Sequence, residues 1–161
     1  MPRIDLAGQR ASVNPREGRV FVETVRVLFS DLIDAALTQT IAVGAILPAD
    51  ALVLSSFVEI EALMTDTETN ITSVTVDVGV AANTDILIDA LQLLSGTPTL
   101  GRHQHVRGDD TAQVALAGHQ VNALFTAVGA NFGDGTITAL DTGIVEIHIA
   151  YVRLGNRGVI V

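Results

Sequence analysis

Ile71-Thr72-Ser73-Val74-Thr75-Val76-Asp77-Val78-Gly79-Val80 alternates strictly from Val74 onward. Val74, Val76, Val78 and Val80 fall on one face; Thr75, Asp77 and Gly79 fall on the other. This period of two marks a strand with one buried face. Helix geometry would scatter the valines around the axis. It would also cost them rotamer freedom that a pleated surface leaves intact.

The pattern extends in both directions. Upstream, Thr65 to Asn70 is a polar turn, and Ala51 to Met64 is a long strand. In its second half Phe57, Glu59 and Glu61 alternate against Val58, Ile60 and Ala62. Leu47-Pro48-Ala49-Asp50 is a turn that ends the β-rich segment Thr38 to Ile46. Val20 to Phe29 reads as a strand, with Phe21, Val25, Val27 and Phe29 on one face and Glu23 as the polar member of that face. Between these strands Ser30 reads as the N-cap of a short helix, Asp31 to Leu37, with Asp31 and Asp34 near its positive end.

Downstream, Asn83 to Ala90 is a short strand, and Leu91 to Leu94 continues it or begins a short helix. Ser95 to Thr111 contains Gly96, Pro98, Gly101, Gly108 and the pair Asp109-Asp110, and reads as a long loop. Ala112 to Ala117 and Gln120 to Val128 read as strands joined at Gly118. Gly129 to Gly135 is a turn, Thr136 to Leu140 a short segment, and Gly143 to Leu154 the last strand. In that strand Val145, Ile147, Ile149 and Tyr151 oppose Ile144, Glu146, His148 and Val152, so His148 and Tyr151 face opposite sides. Val159-Ile160-Val161 forms an apolar tip.

About eight strands, one short helix and no helix–strand alternation define an all-β class. The expected architecture is an antiparallel jelly roll or β-sandwich with an extended N-terminal arm. It divides into residues 1–19 (arm), 20–154 (jelly-roll domain) and 155–161 (tail). At 161 residues the chain fits one domain and can bury about 70% of the surface its unfolded form exposes.

Charge is distributed unevenly. Val27 to Gly101, 75 residues, holds ten acids and no basic residue. All nine basic residues are Arg, and Arg3, Arg10, Arg16 and Arg19 lie in the first nineteen positions. Two readings of residues 1–19 are open: a disordered tail, or a cationic arm that orders on a neighbouring subunit. Fully extended, such an arm reaches roughly 60 Å. The net charge of -9 argues against nucleic acid as the main partner and against anionic membrane surfaces. Absence of Cys excludes disulfides and thiolate metal sites. Met1-Pro2-Arg3-Ile4-Asp5 has no basic segment leading into an apolar one, and no apolar run approaches a membrane span. Synthesis and folding in a cytoplasm are therefore expected.

The order of elements resembles a family. Ser30-Asp31-Leu32-Ile33-Asp34-Ala35-Ala36, then Leu47-Pro48-Ala49-Asp50-Ala51-Leu52-Val53-Leu54, the strand Ile71 to Gly79 and the closing Ile144-Val145-Glu146-Ile147-His148-Ile149-Ala150-Tyr151-Val152 are similar to jelly-roll head decoration (cement) proteins of tailed bacteriophages. The likeness spans residues 20 to 154. It implies a homotrimer on the outer capsid surface that bridges major capsid protein subunits and stiffens the shell. It implies no catalytic residues and no cofactor. Related folds in tail and baseplate parts make a receptor-contact module the alternative. On this reading Arg3, Arg10, Arg16 and Arg19 are the partner contacts, since guanidinium groups pair bidentately with acidic patches.

Several groups bear on chemistry. His103-Gln104-His105 with Asp109 and Asp110 has the elements of a metal site, and His-x-His followed by a carboxylate is similar to a cupin motif. The glycine spacing departs from that motif, Asp stands where Glu is expected, and His119 is a loose second-motif match. A solvated polar loop is the simpler account; an ion shared by His103 or His105 at a trimer axis is the other. Gly133-Asp134-Gly135 is too short for a calcium loop and fits a turn. Asp66 and Glu68 fit a polar connection. Glu59 and Glu61 share a strand face as a glycosidase pair would, but the wet face of a half-buried strand explains them. No nucleophile elbow, Walker loop or dinucleotide fingerprint is present. The expectation is a non-enzymatic virion protein.

Overall fold

The computed structural model describes residues 19–68, 70–94, 101–105, 116–135 and 137–153, with residues 102–105 as backbone only. The strands are β1 (Val20–Leu28), β2 (Thr38–Ala42), β3 (Ala51–Thr65), β4 (Ser73–Val80), β5 (Asn83–Gln92), β6 (Gly101–His105), β7 (Asn122–Val128) and β8 (Thr142–Arg153). They form two four-stranded sheets. Sheet A has the order β1-β8-β3-β6 and sheet B the order β2-β7-β4-β5. Every pairing between these strands is antiparallel. The pairs β1·β8 and β3·β6 lie in one sheet and β2·β7 and β4·β5 in the other. This is a long hairpin rolled so that successive pairs alternate between sheets, the winding of a jelly roll.

Alternation places the core between the sheets. Val145, Ile147 and Ile149 of β8 are fully buried, as are Val58 and Ile60 of β3. Opposite them stand Val74, Val76 and Val78 of β4 with Ala123 and Phe125 of β7. Tyr151 is buried on the inner face and His148 lies on the outer one, as the parity of the last strand requires. Glu23 is the polar intruder on the inner face of β1, and its carboxylate is occupied. Oε2 accepts the Ala45 amide at 3.0 Å, and Oε1 accepts the Tyr151 hydroxyl at 3.4 Å. Burial, then the neighbouring Glu23 charge, hold the Tyr151 hydroxyl above its ordinary range, so it stays protonated as the donor.

Three expectations are corrected. The helix over Asp31 to Leu37 is replaced by a single 3-10 turn, Phe29–Asp31, entered from Leu28 rather than capped by Ser30. Tertiary hydrogen bonds explain this. Gln39 Oε1 accepts the amides of Ile33 (2.9 Å) and Asp34 (3.1 Å), while its Nε2 donates to the Asp31 carbonyl (2.7 Å). The carbonyls of Ile33, Asp34, Ala36 and Leu37 accept from Gly135, Gly133, Phe132 and Ala127. Most backbone groups that a helix would use for itself are thus committed to β2, β7 and the following turn. Second, the presumed loop Ser95 to Thr111 contains β6, which pairs with β3 despite its Gly101 start. Third, Leu116 to Gly118 turns rather than extends, with Gly118 at φ +75°. Residues 112–115 of that expected strand lie outside the described residues. The segment Thr136 to Leu140 contributes one isolated bridge, Gly133 to Thr138. Leu91 and Gln92 continue β5.

Candidate functional site

The outer faces of the two sheets differ in chemistry. On sheet B, cross-strand register aligns Thr38, Thr126 and Thr75, and beside them Thr40, Leu124 and Asp77. That face is mostly hydroxyls and short polar groups. On sheet A, one end aligns Val20, Val152 and Leu52, followed by Val22, Ala150 and Ser55. Val20 and Val22 are 59% and 55% exposed, and Leu54 adds to them at a bulge between Val53 and Ser55. The other end aligns Leu28, Ile144 and Ala62. The described chain ends reach the same edge, because Val20 is paired with Val152 at the outer end of β1 and β8.

Between the two apolar ends runs a polar band. One row is Arg26, Glu146 and Glu59; the next is Thr24, His148 and Phe57. Arg26 Nη2 meets Glu61 Oε2 at 2.6 Å. A bulge between Ile60 and Ala62 moves Glu61 out of step with Glu59. The two glutamates expected as a pair therefore separate: Glu61 goes to Arg26, while Glu59 joins Glu146 and His148. Ligand atoms of those three residues lie within 4.8 Å of one another. His148 Nε2 is 3.3 Å from Glu146 Oε2, its Nδ1 is 3.1 Å from Thr24 Oγ1, and its ring stacks on Phe57 with centroids 4.3 Å apart. The sequence singled out Glu59 and His148 separately and missed Glu146. Only the register of β3 against β8 unites them, and that register depends on bulges that a strict period of two does not reveal.

The other candidates fall as follows. His103 and His105 lie on the edge strand β6, in register with Val58 and Ser56 of β3, not in a loop. Asp109 and Asp110 lie outside the described residues. His119 sits at a turn near Leu47, whose amide donates to its carbonyl at 3.1 Å. Asp66 is a loop organiser, accepting the amides of Glu68 (2.8 Å) and Ile71 (2.7 Å). Asp134 closes a turn by accepting the Ile137 amide at 2.8 Å, and Gly135 adopts φ +91° there. Arg19 is exposed immediately before β1, whereas Arg3, Arg10 and Arg16 lie outside the described residues. No helix among the described residues is long and apolar enough to cross a membrane.

The architecture is that of a jelly-roll sandwich, and a solved structure shares it. A chain of the cyanophage Pam1 capsid asymmetric unit is similar with a TM-score of 0.57 at 21% sequence identity, over 95% of this chain and 99% of that one. A chain of the acidic stable capsid structure of Helicobacter pylori bacteriophage KHP30 is similar with a TM-score of 0.48 at 13% identity, over 86% of this chain and 91% of that one. No family model matches the chain, and no curated protein matches it.

Proposed function

We propose that this chain is a structural protein of a phage capsid, a decoration protein that binds the outer shell surface as a homotrimer and stabilises it. The observation that carries this reading is the likeness to a chain of the Pam1 capsid asymmetric unit, which covers nearly the whole of both chains. The match is therefore to a protein of closely similar length, not to a module within a much longer one. Charge and surface support the same reading. An acidic body of net charge -9 avoids nucleic acid, and the apolar outer face of sheet A suits a protein neighbour.

The mechanism is mechanical. Each trimer spans several major capsid protein subunits, so that weak contacts sum by avidity and resist separation of the subunits. Arg3, Arg10, Arg16 and Arg19 extend the grip by pairing with carboxylates on the shell. Nothing in this mechanism calls for a catalytic group or a cofactor. Light scattering on the full chain tests the oligomer: a mass near that of three chains supports it, and a monomer at micromolar concentration opposes it.

A further inference from the structure

The outer strands of the two sheets are not alike. β2 and β6 span five residues each, and β5 carries register shifts against β4 and Ala90 at φ +44°. Short or distorted edges resist pairing with another chain. β1 lacks these defences. It is the outer strand of sheet A, and all nine of its residues pair with β8 without a shift. It contains no Pro and no Lys. Among the described residues, no backbone group of Val20 to Val27 bonds outside the β8 pairing. The nearby Ala45 amide reaches β1 only through the Glu23 side chain. Alternate residues of an antiparallel strand turn both N–H and C=O away from their partner, so every second residue of β1 offers both groups to a further strand. We propose that this edge pairs antiparallel with β1 of a second copy of the chain, across a two-fold axis at Thr24, joining two sheets A into one continuous sheet.

The residues of β1 select a second copy as the occupant. Set against its own reverse, the strand places Val20 opposite the partner's Leu28, Phe21 opposite the partner's Val27, and Thr24 opposite the partner's Thr24. Arg26 meets the partner's Val22 and Glu23 meets the partner's Val25, so neither charge faces its like. Apolar and Thr–Thr pairs directly across a ladder are favourable, whereas opposed like charges are not. On the outer face the exposed Val20 and Leu28 cover each other at both ends of the pairing. Other registers lose this match. Centring on Glu23 or on Arg26 opposes like charges, and centring on Val25 leaves Val20 uncovered. Charge complementarity continues past the strand. The register carries the exposed Arg19 beyond the partner's Leu28, toward the 3-10 turn that holds Asp31. A contact of this kind closes with two copies, so it is not the one that builds a trimer. It goes beyond the proposed capsid role by linking chains of neighbouring trimers. One pair of strands is a small contact, weak between free chains and reinforced where many copies are held side by side.

The chain has no Cys, so introduced cysteines report the register without background. The test is cross-linking of full-length single-cysteine variants with a short bismaleimide, read on denaturing gels, with thermal melts to confirm folding. Thr24→Cys lies on the axis and should give cross-linked dimer several-fold above Thr40→Cys, an exposed control on β2. Val22→Cys mixed with Arg26→Cys should cross-link several-fold more than either alone. A charge readout is independent of thiol geometry at the second position. Adding Val22→Arg to Thr24→Cys opposes two arginines and should lower the dimer yield several-fold, whereas adding Val22→Glu faces Arg26 of the other copy and should keep or raise it. Equal yields from Thr24→Cys and Thr40→Cys overturn the pairing. So does efficient cross-linking of Val22→Cys alone, as convergence of like residues on a three-fold axis would give, or an equal loss from Val22→Arg and Val22→Glu.

Discussion

Asp141 shows how a single exposed carboxylate ties two connections together. Its Oδ2 accepts the Thr67 amide at 2.6 Å, while its own amide donates to Thr65. The Thr67 amide, and then the Thr67 side chain, hold this carboxyl below its ordinary value of 3.8. A depressed carboxyl stabilises the fold above its unfolded value, and the contribution is lost as pH falls through the folded one. Asp141→Asn should therefore melt below the parent at neutral pH, and the gap should narrow as the pH falls below 3.8. Melting curves at neutral pH and across the acid range check this; a gap that does not change with pH would refute the linkage. Gln39 is the second such residue. Truncation to Ala removes the partners of two amides and one carbonyl and should cost about 1–2 kcal/mol in a denaturant titration.

At the scale of elements, burial was legible wherever one face meets the core. The valines of β4 and the alternation of β8 read correctly because a period of two is imposed locally by the pleat. Ile147, fully buried at the centre of β8, should cost about 2–5 kcal/mol when cut to Ala, measured by chemical denaturation. Gly129 should resist change as well. It adopts φ +102°, and a Cβ there would strike the Asn70 carbonyl, so Gly129→Ala should lose about 2 kcal/mol or more. What the sequence hid was decided at long range. The segment after β1 has helical caps and acids, but Gln39 and the turn after β7 take most of the backbone groups a helix needs. The strand β6 was masked by its glycine and by its polar composition, since an edge strand is specified by its partner as much as by its own residues. The Glu59, Glu146 and His148 group was unreadable for the same reason: it exists only in the register of β3 and β8.

For the molecule as a whole, the two outer faces differ in chemistry. Sheet B presents hydroxyls to solvent, and sheet A presents apolar ends on either side of a charged band. The fold class was legible because a rolled antiparallel hairpin needs only alternating strands and turns in the right number. The proposed attachment role draws on the charge layout of the ends and on the shared fold, and it makes a specific demand on the arm. Residues 20–161 retain every described strand, so this truncation should melt as the full chain does but lose shell binding when cosedimented with capsids. Full binding by the truncated chain would remove the arginines from the mechanism. The most direct test of the proposed role is electron cryo-microscopy of shells of the phage that, on this reading, carries the chain, incubated with the full-length protein. The account predicts added trimeric density on the outer surface, centred on local three-fold positions. Bare shells, with the folded protein left in solution at saturating concentration, would contradict it.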